Sequence, residues 1–345
     1  MTALEIKNLV VHYETPEGVA EAVNNVSLSI SSGETLGLVG ETGAGKTTIA
    51  LTIMGLLPRP AGRVIKGEIL VNGENVVETS RRKRKLHSKD KMLRKLRGSS
   101  MGMIFQDPMS ALNPVMRVGD QITEVIRLHG NMSRSQSVKR AKEMMELVGI
   151  SSVRYNDYPH EFSGGMKQRI VIAMALACNP GVLIADEPTT ALDVTIQAQV
   201  LELMNELKRK FNTALLMITH DLGVVADICD KCAVLYAGEI MEYGTVEHIF
   251  NNPRHPYTLA LFNALPSLDK DVERLKSISG LMSDNMNLPT YCTFYERCDK
   301  RCQRCSEGDP VLTQIEPGHF VKCFHLAQEQ EDKANTPASE VLLNE

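Results

Sequence analysis

No stretch of this chain is apolar for long enough to cross a bilayer. The longest clean run, Ile170 to Cys178, is far short of the roughly 18 residues that a spanning helix needs. Met1-Thr2-Ala3-Leu4-Glu5-Ile6-Lys7 lacks the basic-then-apolar pattern of a secretory signal, so the expected compartment is the cytosol. An excess of one charge is missing too. The 38 Lys and Arg against 42 Asp and Glu give −4, which argues against a general nucleic-acid binder. There is no internal repeat. Wholesale disorder is excluded by 43% hydrophobic residues over 345 positions, a length that suggests about two domains.

Two local features stand out from this even background. Arg81 to Arg97 holds ten Lys and Arg with one acid, a local +9 that leaves −13 for the remainder. Its plain reading is a solvated helix or loop; its sharper one is contact with anionic lipid or with a partner's loops. Five of the eight cysteines crowd between Cys292 and Cys323, and in a reducing compartment such clustering points to metal before disulfide.

Apolar alternation at Leu4, Ile6, Leu9 and Val11, then at Val26, Leu28 and Ile30, predicts antiparallel strands around the turn residues Glu14-Thr15-Pro16-Glu17-Gly18. Glu68 to Val71 followed by Asn72-Gly73 predicts a hairpin. A second style begins at Thr35. The continuous runs Leu36–Val39, Val182–Ala185 and Leu215–Ile218 read as strands buried on both faces of a parallel sheet, and so predict an α/β core. From about 108 to 180 the period turns helical, with Ile122, Val125, Ile126, Val138, Ala141, Met145 and Val148 on the apolar stripe. Ile196, Val200, Leu203 and Leu207 mark another helix, whose end carries Lys208, Arg209 and Lys210 where the helix dipole favours cations. The expected organisation is a core over 1–250 containing the helical subdomain, an extension over 251–327, and a disordered polar tail over 328–345.

Gly40-Glu41-Thr42-Gly43-Ala44-Gly45-Lys46-Thr47 fits G-x-x-x-x-G-K-[ST] between a strand and a helix. In that context the glycines let backbone N–H groups turn toward phosphate oxygens, Lys46 brings a positive charge, and the Thr47 hydroxyl can reach Mg²⁺. The strand Val182 to Ala185 ends in Asp186-Glu187, where one carboxylate can hold Mg²⁺ and the other orient a water. Phe162-Ser163-Gly164-Gly165-Met166-Lys167-Gln168-Arg169 precedes an apolar helix, with Ser163 as N-cap and two glycines exposing first-turn N–H groups to an anion.

In this order the motifs resemble the ATP-binding subunits of ABC transporters, a P-loop NTPase fold with a parallel sheet, an antiparallel β subdomain, a helical signature subdomain and here a cysteine-rich extension. The resemblance implies that Gly40, Glu41, Thr42, Gly43, Ala44, Gly45, Lys46, Thr47 and Thr48 surround the phosphates while Tyr13 stacks on adenine. It implies that Thr47, Gln106 and Asp186 hold Mg²⁺, and that Glu187 and His220 are catalytic. Ala191-Leu192-Asp193 resembles the D-loop. Ser163, Gly164, Gly165 and Met166 would close on ATP held by a second subunit; at the last position the family commonly has glutamine, and a thioether cannot hydrogen-bond as an amide does. Phe105 to Pro114 and Asn252-Pro253-Arg254-His255-Pro256-Tyr257-Thr258 resemble the oligopeptide/dipeptide importer subfamily, whose relatives also serve nickel and some sugars.

That subfamily implies ATP hydrolysis driving import of di- or oligopeptides, with nickel or another small solute as the alternative. Its partners would be a second ATPase subunit, two membrane permeases and, indirectly, an extracytoplasmic binding protein, with no nucleic acid, and its place the cytoplasmic face of the membrane. A soluble ATPase that remodels ribosomes or DNA would normally carry two phosphate loops or long coiled coils, and neither is present. Cys292-x5-Cys298-x6-Cys305-x17-Cys323 leaves Cys302 over. Four thiolates suit [4Fe–4S] or Zn²⁺, and the tight Cys302-x2-Cys305 pair leans to zinc. The family resemblance implies [4Fe–4S] on Cys292, Cys298, Cys305 and Cys323, with zinc the alternative.

Overall fold

The computed structural model describes residues 1–77, 86–190, 192–264, 278 and 280–325. Its strands are β1 (Thr2–Thr15), β2 (Gly18–Ser31), β3 (Thr35–Val39), β4 (Gly62–Val71), β5 (Glu74–Asn75), β6 (Met101–Ile104), β7 (Val182–Asp186), β8 (Ala214–Ile218), β9 (Lys231–Tyr236), β10 (Glu239–Thr245), β11 (Thr313–Glu316) and β12 (His319–Val321). They form an antiparallel sheet in the order β2-β1-β4-β5 and a larger sheet in the order β11-β12-β10-β9-β3-β8-β7-β6.

The small sheet follows from its alternation. Leu4 opposes Ile30 and Ile6 opposes Leu28, so the apolar set of both strands falls on the face turned to the core. Asn72 and Gly73 both have positive φ, 50° and 82°, which closes a tight two-residue hairpin between β4 and β5. In the large sheet β3, β7 and β8 are buried at every residue, as their unbroken apolar runs require. β6, β7, β8, β3 and β9 are parallel neighbours; β10, β12 and β11 then continue the sheet antiparallel.

The helices are α1 (Lys46–Ile53), α2 (Leu86–Leu96), α3 (Pro108–Ala111), α4 (Val118–His129), α5 (Arg134–Leu147), α6 (Gly164–Leu176), α7 (Val194–Phe211), α8 (Leu222–Ile228), α9 (Val246–Asn251), α10 (Pro256–Asn263) and α11 (Arg304–Glu307). α3 to α6 make the helical region, its core built on Ile122, Ile126, Ala141, Met145, Val148 and Ile170. Ser133 and Gln136 start α5 with a reciprocal capping box. No helix among the described residues is long and apolar enough to cross a membrane.

Lys208, Arg209 and Lys210 stand in the last turn of α7 as expected, and Arg209 and Lys210 are exposed. Lys208 is buried: its ammonium donates to Thr35 Oγ1 at 2.9 Å and lies 3.9 Å from Asp230, tying the helix to the start of β3. In the basic run, residues 81–85 and the side chains of 86–90 lie outside the described residues, as does the polar tail 328–345. Over 91–97, Leu93 and Leu96 pack on the core and Lys91, Arg94 and Lys95 face solvent.

Described residues after 251, Tyr257 and Phe294 among them, pack on β9 and β10. Tyr236, Tyr257, Phe294, Cys292 and Cys305 share one buried cluster, with Tyr236 edge-on to Tyr257 at 4.8 Å and to Phe294 at 5.3 Å.

Candidate functional site

The phosphate loop leaves β3 at its carboxyl end and enters α1. Gly40, Gly43 and Gly45 have φ of 149°, 87° and 102°, and a Cβ on Gly40 would collide with the Leu235 carbonyl oxygen. Only glycine permits that approach. Lys46, 7% exposed, turns back into the loop and donates to the Gly40 and Glu41 carbonyls at 2.6 and 2.9 Å. Burial lowers its pKa by more than the nearby Glu187, Asp186 and Glu41 raise it. The ammonium is thus held over the loop by weak acceptors that a phosphate oxygen can replace.

Asp186 ends β7 beside this loop. Its Oδ1 accepts from Thr47 Oγ1 at 3.4 Å, and burial raises its pKa against the lowering effects of Thr47 and Lys46. A buried carboxylate next to a threonine hydroxyl is a hard-oxygen donor pair suited to Mg²⁺. Glu187 turns the backbone through φ 49° while its N–H donates to the Ile218 carbonyl. Its carboxylate faces outward into three donors: Gln106 Nε2 at 2.8 Å, Thr190 Oγ1 at 3.0 Å and His220 Nδ1 at 3.1 Å. Burial raises the Glu187 pKa, but the hydrogen bonds from His220 and Thr190, with the charges of His220 and Lys46, outweigh it and the net displacement is downward. The group is a carboxylate at neutral pH, aimed by its neighbours.

Tyr13 lies beside α1, its hydroxyl donating to Thr48 Oγ1 at 3.3 Å and its ring against Gly62. The Ser163 hydroxyl accepts from the Met166 N–H at 3.4 Å and caps α6. A Cβ on Gly165 would collide with Ile196 of α7, so this glycine lets the two helices cross closely. Asp193 caps α7 by accepting from the Ile196 N–H at 2.9 Å; Ala191 lies outside the described residues. The fold thus gathers Gly40–Thr48, Asp186, Glu187, Gln106 and His220. Among the described residues, no hydrogen bond joins Ser163, Gly164, Gly165 or Met166 to that group.

A family model described as "ABC transporter" matches residues 23–190, and one described as "Oligopeptide/dipeptide transporter, C-terminal region" matches 241–305. The oligopeptide transport ATP-binding protein OppD of Escherichia coli (strain K12) is 48% identical over 328 residues, covering 94% of each chain. The dipeptide transport ATP-binding protein DppD of Lactococcus lactis subsp. cremoris is 47% identical over 326 residues, 94% of this chain and 90% of the relative. The chain belongs to this family of ABC transporter ATPases. An ATP-binding cassette solved as a dimer, in a post-hydrolysis state bound to ADP and Pi, is 27% identical with a TM-score of 0.60, covering 70% of this chain and 98% of its own.

Three contacts around Glu187 and α6 were not revealed by the motifs alone. Buried Gln168 donates from Nε2 to the Pro188 carbonyl at 2.5 Å, linking α6 to the residue after Glu187. Thr190 supplies a third hydrogen bond to the Glu187 carboxylate. Met166 does take a polar contact: its sulfur accepts weakly from Arg154 Nη1 at 3.7 Å, while Arg154 pairs with Asp157 at 2.7 Å and covers the Phe162 ring at 4.1 Å.

In the extension the charges of neighbouring cysteines, Cys323 among them, help to raise the pKa of Cys292, Cys298 and Cys305. Burial is the larger cause, and it pushes Cys292 up to about 12 and Cys298 to about 11. Cys302 and Cys305 sulfurs are 3.4 Å apart. The donor set suits a soft metal. Even so, no group of three or more His, Cys, Asp or Glu side chains among the described residues is arranged to hold one.

Proposed function

We propose that this chain is the ATP-hydrolysing subunit of an importer for di- or oligopeptides. In this reading it works at the cytoplasmic face of a membrane with a second ATPase subunit, two permease subunits and an extracytoplasmic binding protein. The names of its relatives supply the substrate class, and the observation that carries the chemistry is the Glu187 carboxylate held by Gln106, Thr190 and His220 beside Lys46 and Asp186.

ATP lies between two chains, its phosphates on Gly40–Thr48 of one and on the Ser163 helix start of the other, where free N–H groups favour an anion. Thr47, Asp186 and Gln106 hold Mg²⁺, which when bound neutralises charge on the outer phosphates. Tyr13 stacks on adenine. Glu187 orients the attacking water, His220 meets charge developing on the γ-phosphate, and Lys46 neutralises the rest. Gln106 stands between this site and the permease, and Asp193 with Leu192 lines the approach of the second subunit. A cluster on Cys292, Cys298, Cys305 and Cys323 is supported by the donor set alone, [4Fe–4S] first and zinc second; its role is structural or redox-sensing. Anaerobic preparation with iron, sulfide and zinc analysis tests this, and a metal-free protein contradicts it.

The functional test is peptide uptake into vesicles carrying the assembled transporter. Uptake should require ATP inside and vanish in Glu187→Gln. Uptake that persists in that variant contradicts the proposal.

A further inference from the structure

The outer side of the phosphate loop is covered by residues from the extension. Glu41, second in the loop, is gripped fork to fork by Arg297: Nη1 to Oε2 is 2.6 Å and Nη2 to Oε1 is 3.0 Å. The Arg297 side chain is 5% exposed, and its guanidinium also reaches the Tyr236 hydroxyl and the Ile278 carbonyl, both at 3.5 Å. From the same side, the fully buried Tyr257 takes the Glu41 N–H on its hydroxyl at 3.0 Å. Asn285 donates to the Gly43 carbonyl at 3.3 Å and accepts the Glu21 N–H on its own carbonyl at 2.8 Å. The inner side of Glu41 meets Lys46, which donates to its carbonyl. One residue, Glu41, is therefore held between the extension and the phosphate-binding lysine.

A carboxylate in a phosphate loop is a liability, because it repels the polyanion that the loop must accept. A bidentate guanidinium removes that charge and also fixes the carboxylate's orientation. We propose that Arg297 is a positioning residue of the ATP site, acting through Glu41: it cancels the Glu41 charge beside the incoming triphosphate and holds the loop open against the extension. This rests on Gly40–Thr48 being the nucleotide site. Arg297 immediately precedes Cys298, so one short turn, Tyr295–Arg297, sets both the reach of the guanidinium and the place of that thiol.

The test compares the full chain with its variants in ATP affinity, by titration calorimetry with Mg²⁺, and in steady-state turnover with the second ATPase subunit present. Arg297→Ala should weaken ATP binding about tenfold, the loss expected when a charge-assisted pair is broken and its carboxylate left unpaired. KM should rise in step while turnover at saturating ATP changes less than about twofold, since Glu187 and His220 are untouched. Adding Glu41→Gln to Arg297→Ala should bring affinity back to within about threefold of the parent, a rescue that mere loss of packing would not give. If Arg297→Ala does not fold, Arg297→Gln keeps the length and a donor and should show the same loss and rescue. Parental affinity without the guanidinium, or no rescue by Glu41→Gln, overturns the proposal. Lys46→Ala is the separate control: if it binds ATP like the parent, the phosphate-loop reading itself fails.

Discussion

Replacing Glu187 by Gln removes one charge and almost no volume. The carboxylate accepts from Gln106 and Thr190 on Oε2 and faces His220 Nδ1 on Oε1. An amide can keep two of these contacts by pointing its oxygen at Gln106 and Thr190. Its NH₂ then meets His220, which must move its proton to Nε2. Two of three hydrogen bonds survive and the φ of 49° is unchanged, so folding stability should shift by less than about 1 kcal/mol. ATP binding should hold or tighten, because a negative charge that interacts with Lys46 has gone. If Glu187 orients the attacking water as proposed, turnover should fall about 10²- to 10⁴-fold, roughly 3–5 kcal/mol on the barrier. Phosphate release, calorimetric ATP titration and thermal unfolding on one preparation separate these effects. Turnover within about threefold of the parent, with normal binding, refutes the role given to Glu187.

Gly165→Ala should destabilise the α6–α7 contact by about 1–3 kcal/mol, because the new methyl collides with Ile196; urea unfolding should show the loss and Ile196→Ala should relieve it. Burial lowers the His255 pKa to about 4, while its Nδ1 caps α10 by accepting the Tyr257 N–H. The unfolded chain takes up that proton first. The stabilisation is therefore complete above pH 6.5 and is lost as the pH falls from 6.5 toward 4, by up to about 3 kcal/mol, and His255→Asn should flatten that part of a stability–pH curve. Arg154→Ala breaks the contacts with Asp157, Phe162 and Met166 at the start of α6; if that helix start closes on ATP of a second subunit, turnover should fall several-fold with ATP affinity unchanged, and equal turnover would show that this support is dispensable.

What could be read in the chain was what local pattern dictates. The runs from Leu36, Val182 and Leu215 are apolar because β3, β7 and β8 are covered on both faces, and the phosphate loop announces itself through glycines at positive φ. β9 and β10 drew no such reading, although the Ala237-Gly238 turn between them, with φ 46° and 81°, was a usable hairpin signal. β11 and β12 are short, and they join the sheet where β12 pairs with the edge of β10. Contacts between distant segments were out of reach. Arg297 and Glu41 are 256 residues apart, and nothing beside either names the other. The same holds for Lys208: its place at the helix end was legible, its bond to Thr35 at 2.9 Å was not.

If each ATP is shared between two chains, hydrolysis per chain depends on protein concentration, and it can be followed as the purified protein is diluted. Activity per chain should fall toward zero at high dilution and return when a second ATPase subunit with an intact Ser163-type helix start is added. A dilute, single chain that keeps its full rate would contradict the shared site.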